Sequence, residues 1–135
     1  MALRVDLVSP ERILFSGEAE MVVCRTGGGE IAFLTGHAPF LGALGTGVVR
    51  VHREGGELVR AAVHGGFVEV KDNRVILLSD VAELPGQVDA ERARRSLEDA
   101  ERRVREGGEG VEDAEAQLQR ARARLELVGS GDRSH

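Results

Sequence analysis

Tryptophan and tyrosine are absent from this 135-residue chain and four phenylalanines are its only aromatics, so a core here must be built from aliphatic side chains. One cysteine, Cys24, provides neither a disulfide framework nor a cysteine zinc site, which suits a reducing cytoplasm. No run of about 18 apolar residues occurs, which excludes a membrane-spanning helix. Met1-Ala2-Leu3-Arg4-Val5-Asp6 holds no apolar stretch of signal-peptide length. Lysine is nearly missing, since Lys71 is the one lysine among 18 basic residues. The formal net charge of −5 gives no bulk attraction to nucleic acid or acidic lipid.

What is present divides in two at Leu84-Pro85-Gly86-Gln87, where proline and glycine punctuate the chain. Residues 1–84 hold all four Phe and 19 charged side chains, while residues 85–135 hold no aromatic and 22 charged side chains in a shorter span. In the first part Leu3, Val5 and Leu7 alternate with Arg4 and Asp6, and Val49 and Val51 with Arg50 and His52, the period of a pleated strand. Glu54-Gly55-Gly56-Glu57 and Lys71-Asp72-Asn73-Arg74 each join two such runs and predict hairpins. Short strands with turns every 8 to 12 residues indicate a β-sandwich or barrel.

In the second part Ala90, Ala93, Leu97, Ala100 and Val104, then Val111, Ala114, Leu118, Ala121, Leu125 and Val128, recur at spacings of 3 and 4. These are two apolar seams of a supercoiled helix pair, with Asp89 as N-cap of the first helix. Glu106-Gly107-Gly108-Glu109-Gly110 is short enough to force an antiparallel hairpin. Each seam buries two or three large side chains at about 1.5–3 kcal/mol apiece. Ordering the backbone costs about 1–2 kcal/mol per residue. The hairpin is therefore marginal alone and needs the β-domain, a ligand or a partner. Residues 129–135 are expected to form a disordered tail.

Catalytic signatures are scarce. Gly27-Gly28-Gly29-Glu30-Ile31-Ala32 has the spacing of a dinucleotide fingerprint, but Gly36 and Pro39 break the helix that motif requires, and a tight turn is the better reading. No Walker A pattern or G-x-S-x-G elbow occurs, and the four histidines show no H-x-x-x-H spacing. Cys24 reads as a small buried hydrophobe. The arginines of the hairpin fit a solvated face of ion pairs such as Glu98–Arg102 and Asp99–Arg103, docking onto an acidic protein surface, or a phosphate site. For the last of these, Arg120 and Arg124 lie four apart on one helical face.

Several stretches together resemble the epsilon-subunit family of bacterial F-type ATP synthases, counterpart of the mitochondrial delta subunit. They are Val8-Ser9-Pro10-Glu11 with Phe15-Ser16-Gly17, and Gly29 to Leu41, which is similar to G-E-x-G-x-x-P-G-H-A-P-L-L. Gly65-Gly66-Phe67-Val68-Glu69-Val70 with Asn73-Arg74-Val75 and Ser79-Asp80-Val81-Ala82-Glu83 also match. Ala32, Thr35 and Ser79 depart from the family's Gly, Pro and Ala. The resemblance covers residues 1–128. It implies an N-terminal ten-stranded β-sandwich (1–84), a linker (85–87) and a C-terminal antiparallel two-helix hairpin (88–128).

The resemblance further implies a non-catalytic rotor subunit, peripheral on the cytoplasmic face of the bacterial membrane, touching the membrane only through the c ring. The sandwich would pack on gamma and on the c ring, with Glu30, His37 and Pro39 on that side. An extended hairpin would inhibit ATP hydrolysis, with Arg120, Arg122 and Arg124 meeting the beta subunit of the alpha–beta head. No cofactor is required. Val88-Asp89-Ala90-Glu91-Arg92-Ala93 resembles the [I/L]-D-x-x-R-A motif of members that bind a regulatory ATP, and implies a site of Glu83, Asp89, Arg92, Ala93, Arg120 and Arg124. Asp99 stands where those members carry a further arginine. A free-standing ATP-binding sensor built on the hairpin is the alternative reading. No residue pattern favours a third, a small β-sandwich enzyme.

Overall fold

A computed structural model describes residues 2–133, with side chains through residue 129. Ten strands form two five-stranded sheets. The first contains β1 (Leu3–Val8), β2 (Ile13–Ala19), β5 (Phe40–Ala43), β8 (Gly66–Lys71) and β9 (Arg74–Ser79), in the order β2-β1-β9-β8-β5. The second contains β3 (Met21–Thr26), β4 (Gly29–Leu34), β6 (Thr46–His52), β7 (Leu58–His64) and β10 (Ala82–Glu83), in the order β10-β7-β6-β3-β4. Every pairing is antiparallel except β1 with β9, which runs parallel and joins the two ends of the β-domain.

The alternation read from the sequence fills the space between the sheets. Leu3, Val5, Leu7, Phe33, Val49, Val51, Val75 and Leu77 are all fully buried there, as is Cys24, whose thiol burial pushes up to about 12 with Glu30 adding to the effect. Gly27 and Gly28 turn β3 into β4, so the fingerprint-like stretch enters a strand rather than a helix. Asp72 and Asn73 adopt φ of 51° and 62° between β8 and β9, the left-handed pair of a two-residue hairpin turn. Gly66 has φ of 128°, and a Cβ there would stand 2.1 Å from the Leu78 carbonyl oxygen, so only glycine lets β8 meet β9 at this point.

Beyond a short 3-10 turn at Pro85–Gln87 come α1 (Ala90–Glu106) and α2 (Val111–Arg133). The Asp89 carboxylate caps α1 by accepting from the Arg92 N–H at 3.1 Å, and Gly107 ends it with φ of 68°. Ala93 and Ala100 are buried in the first seam and Ala114 and Ala121 in the second, so the helices meet through small residues as the spacing predicts. α2 runs on into the 129–135 stretch expected to be unstructured; residues 134 and 135 lie outside the described residues.

α2 also buries a second face that the heptad reading does not contain. Ala123 and Leu127 pack with Val48 of β6, Ala62 of β7 and Val88 on the outer side of the second sheet. A helix with two partners needs two apolar stripes, and a single 3.5-residue period describes only the stripe facing α1.

The tight Gly66 crossing yields a prediction. Gly66→Ala is expected to cost the sandwich at least about 2 kcal/mol, since positive-φ strain and a backbone clash add together. Urea denaturation of the full chain followed by far-ultraviolet circular dichroism measures it.

Candidate functional site between the sandwich and the helical hairpin

The hairpin lies over β6 and β7, and charged side chains ring the small apolar contact. Arg50 of β6 reaches Glu126 of α2 at 2.6 Å and Glu30 of β4 at 3.2 Å. Arg60 of β7 donates to the Leu127 carbonyl at 2.7 Å. At the other edge, Glu83 of β10 accepts from Arg124 Nε of α2 at 2.8 Å and lies 2.8 Å from Nε2 of His64 on β7.

The proton positions in that last cluster follow from charge. Burial raises the Glu83 carboxyl, but hydrogen bonds from His64 and Arg124 and the Arg124 charge outweigh it, and the group is held below the usual carboxylate range. His64 moves the same way for a different reason. Burial lowers it, the bond to Glu83 opposes that, and the Arg124 and Arg120 charges add to the lowering. An ionised carboxylate only accepts, so Nε2 of His64 carries a proton and donates to Glu83, while burial and the arginine charges favour the neutral ring.

Beside this cluster opens a cavity of about 330 Å³ lined by Glu83, Gln87, Val88, Asp89, Arg92, Ala93, Ser96 and Arg124. Five of the six residues assigned to a nucleotide site by the motif line it, brought together from β10, the start of α1 and the middle of α2. The sixth, Arg120, stands close enough to His64 to oppose its protonation but does not line the cavity. Two guanidinium groups and the N-terminal turn of a 17-residue helix converge here, a donor set suited to an anionic group such as a polyphosphate.

Asp99 does not line this cavity. Arg102 holds it at 2.6 Å and Gln117 of α2 donates to it at 3.2 Å; with a weaker Arg103 contact, these keep its carboxyl below the usual range. Gln117 also donates to the Ser96 carbonyl at 2.9 Å and accepts from Arg103 at 2.7 Å, forming a polar tie between the helices. Of the ion pairs expected along α1, Asp99–Arg103 is present at 3.7 Å, while Arg102 pairs with Asp99 and Glu106 instead of Glu98.

The other predicted residues do not form one site. Glu30 lies near the start of β4 in its pair with Arg50, about 13 Å of strand before the turn that carries His37. His37 stacks edge-on against Phe33 at 4.9 Å and its Nδ1 lies 2.6 Å from the Ala38 carbonyl oxygen, while Pro39 leads into β5. Arg122 is exposed and lies two residues from both Arg120 and Arg124, so it faces away from the cavity edge. The sequence reading missed His64, Ser96, Gln117, Arg50 and Arg60. A signal for the docking face existed, because Val48-Val49 and Ala61-Ala62-Val63 are apolar at both parities, as in a strand covered on two sides.

The first sheet presents a different outer surface. Ala43, Phe67, Leu78, Val8 and Ile13 are successive cross-strand partners, forming an apolar row over all five strands. Phe67 is 59% exposed and Ile13 65%. Among the described residues no helix is long and apolar enough to cross a membrane.

The cavity edge makes a prediction about acid. Arg124 of α2 helps His64 hold the Glu83 carboxyl below its ordinary value of 4.5, so the contribution of the Glu83–Arg124 pair to docking is complete above 4.5 and is lost as pH falls through the lowered value. Glu83→Gln should weaken docking by about 1 kcal/mol, the upper range for a partly exposed pair, and remove that acid-range loss. Amide exchange in α2 measures both.

Comparisons with known proteins agree with one another. The family model for the ATP synthase delta/epsilon chain β-sandwich domain matches residues 2–85, and that for the delta/epsilon chain long α-helix domain matches residues 87–129. The ATP synthase epsilon chain of Streptomyces avermitilis is 45% identical over 128 residues, covering 95% of this chain and 96% of its own. That of Thermobifida fusca is 50% identical over 129 residues, covering 93% and 89%. A chain of the Euglena gracilis mitochondrial ATP synthase, solved as the OSCP/F1/c-ring assembly, superposes with a TM-score of 0.82 at 25% identity, covering 93% of this chain and 79% of that one. A chain from the central stalk and c ring of the Tetrahymena thermophila mitochondrial enzyme shares the fold alone, with a TM-score of 0.61 at 13% identity and coverage of 95% and 97%.

Proposed function

This chain belongs to the delta/epsilon chain family of ATP synthases, and on that premise we propose that it is a central-stalk subunit whose hairpin regulates ATP hydrolysis. It is an accessory subunit of a rotary ATP synthase rather than a catalytic one. It sits peripherally on the cytoplasmic face of the membrane, couples rotation driven by proton flow to ATP synthesis, and reaches the membrane only through the c ring.

The observation that carries the regulatory reading is the nature of the docking contact. The sandwich closes its own core without the helices, and five residues plus a ring of charge hold the hairpin to it. Such a contact is weak enough to be exchanged for another surface, so the docked form is one of two states. In the released state Arg124 gives up Glu83, and Arg120, Arg122 and Arg124 meet acidic groups of the beta subunit. The apolar row on the first sheet supports docking to gamma, since a partner would take Phe67, Leu78 and Ile13 out of water. Glu30, His37 and Pro39 border the side assigned to the c ring, with Glu30 also tied to Arg50 in the docked state.

ATP bound in the cavity would favour the docked state by adding to its free energy. Arg92 and Arg124 would hold the phosphates, while Glu83, Asp89 and Ala93 border the rest of the ligand and Arg120 supplies charge from behind. Asp99 lies outside the cavity and its charge is offset by Arg102 and Arg103, so it does not oppose the phosphates.

Two measurements test this. Deleting residues 88–135 should raise ATP hydrolysis by the assembled enzyme several-fold, and an unchanged rate refutes regulation by the hairpin. Calorimetric titration of ATP into the chain should show saturable binding. In the Arg92→Ala, Arg124→Ala double variant it should weaken more than tenfold, at about 1.5–3 kcal/mol per charged contact.

A further inference from the structure

His64 is the one residue of the docking cluster that the family motif does not predict. Its side chain is 5% exposed, beneath α2, and on its strand it is opposite Thr46 of β6, which carries no charge. Its Nε2–H is committed to Glu83, and its Nδ1 is buried without a hydrogen-bond partner among the described residues. The charged groups around it come from every element packed there. Glu83 lies on β10 and Arg124 and Arg120 on α2, while Arg92 and Asp89, at the start of α1, line the neighbouring cavity that Glu83 and Arg124 border. Asp80, in the turn before β10, donates its N–H to the Gly65 carbonyl beside His64.

A second proton on this ring would land on Nδ1, creating a buried donor with no acceptor and a cation facing two guanidiniums. Both penalties exist only while the hairpin is docked. Lifting α2 removes Arg120 and Arg124 and lets water reach Nδ1, whereas Glu83, on the sandwich itself, remains as a counter-ion.

We propose that His64 is a proton-sensitive latch that holds the hairpin on the sandwich when neutral and releases it when protonated. The proposal rests on the reading that the hairpin leaves the sandwich, and it names what biases that step. The released state binds one more proton than the docked state. Docking is therefore strongest above the ordinary histidine value of about 6.5 and weakens below it, by at most tenfold per pH unit. The bias is distinct from that of Glu83, which acts at lower pH.

A thiol placed under α2 reads the release directly. Ala62 is fully buried against Ala123 and Leu127, and the native Cys24 is buried in the sandwich core and serves as an internal blank. In the Ala62→Cys full-length chain, maleimide labelling is followed from pH 8 to 5.5, with each rate divided by that of the same chain unfolded in urea. The expected ratio rises several-fold as pH falls through 6.5, and adding His64→Gln, whose amide still donates to Glu83, flattens it. A ratio independent of pH, or a rise that survives His64→Gln, overturns the latch while leaving hairpin release intact. Labelling no faster than that of Cys24 at every pH overturns both. Circular dichroism over the same range shows that the sandwich remains folded. Imidazole ¹⁵N shifts of the unaltered chain provide a check free of substitutions, since His64 must titrate below 6.5 while α2 is docked.

Discussion

Between β6 and β7 the second sheet carries apolar side chains on both faces, and water can be excluded from the outer one only by another element. Val48 and Ala62 sit there, and Ala123 and Leu127 of α2 cover them. The position of the hairpin follows from this contact. So does the meeting of Glu83 and His64 with Arg124, which no local preference of either segment would produce. Because the apolar part is small, its geometry is fixed mainly by the charged ties around it, from Arg50 to Glu126, Arg60 to the Leu127 carbonyl, and Arg124 to Glu83.

That division of labour suits a reversible joint. Apolar burial is insensitive to pH and to phosphate, whereas the ties are sensitive to both. An anion in the cavity would join Arg92 and Arg124, which stand on different helices beside Glu83 of the sandwich, and so strengthen the joint. A proton on His64 adds charge where two arginines already lie, and weakens it. The Gln117 tie to Ser96, Asp99 and Arg103 joins the two helices to each other rather than to the sandwich. On the proposed release, these ties would keep the two helices together.

The sandwich turns a different face to the exterior. The apolar row from Ala43 to Ile13 lies on the first sheet, away from the hairpin, which docks on the second. A partner bound along that row and a hairpin moving on the other sheet do not compete for space. Glu30 is the exception, since its partner Arg50 is shared with Glu126 of α2.

The alternation of Leu3, Val5 and Leu7, the left-handed Asp72-Asn73 turn, the Asp89 cap and the seam from Ala93 to Ala121 were legible in the sequence. Each is a contact between near neighbours or a period set by backbone geometry. The family resemblance around Asp89 and Arg92 also named five of the residues that line the cavity, but Glu83 and Arg124 came with it from other elements and not from any spacing in the chain. What tertiary structure alone decided is everything that joins segments distant in the chain. The parallel pairing of β1 with β9, the second apolar stripe of α2, the separation of Glu30 from His37 and the burial of His64 against Glu83 and Arg124 all belong here. A period records which side of a strand or helix is apolar, but not which of two apolar sides meets which partner, and that choice placed a neutral histidine under two arginines.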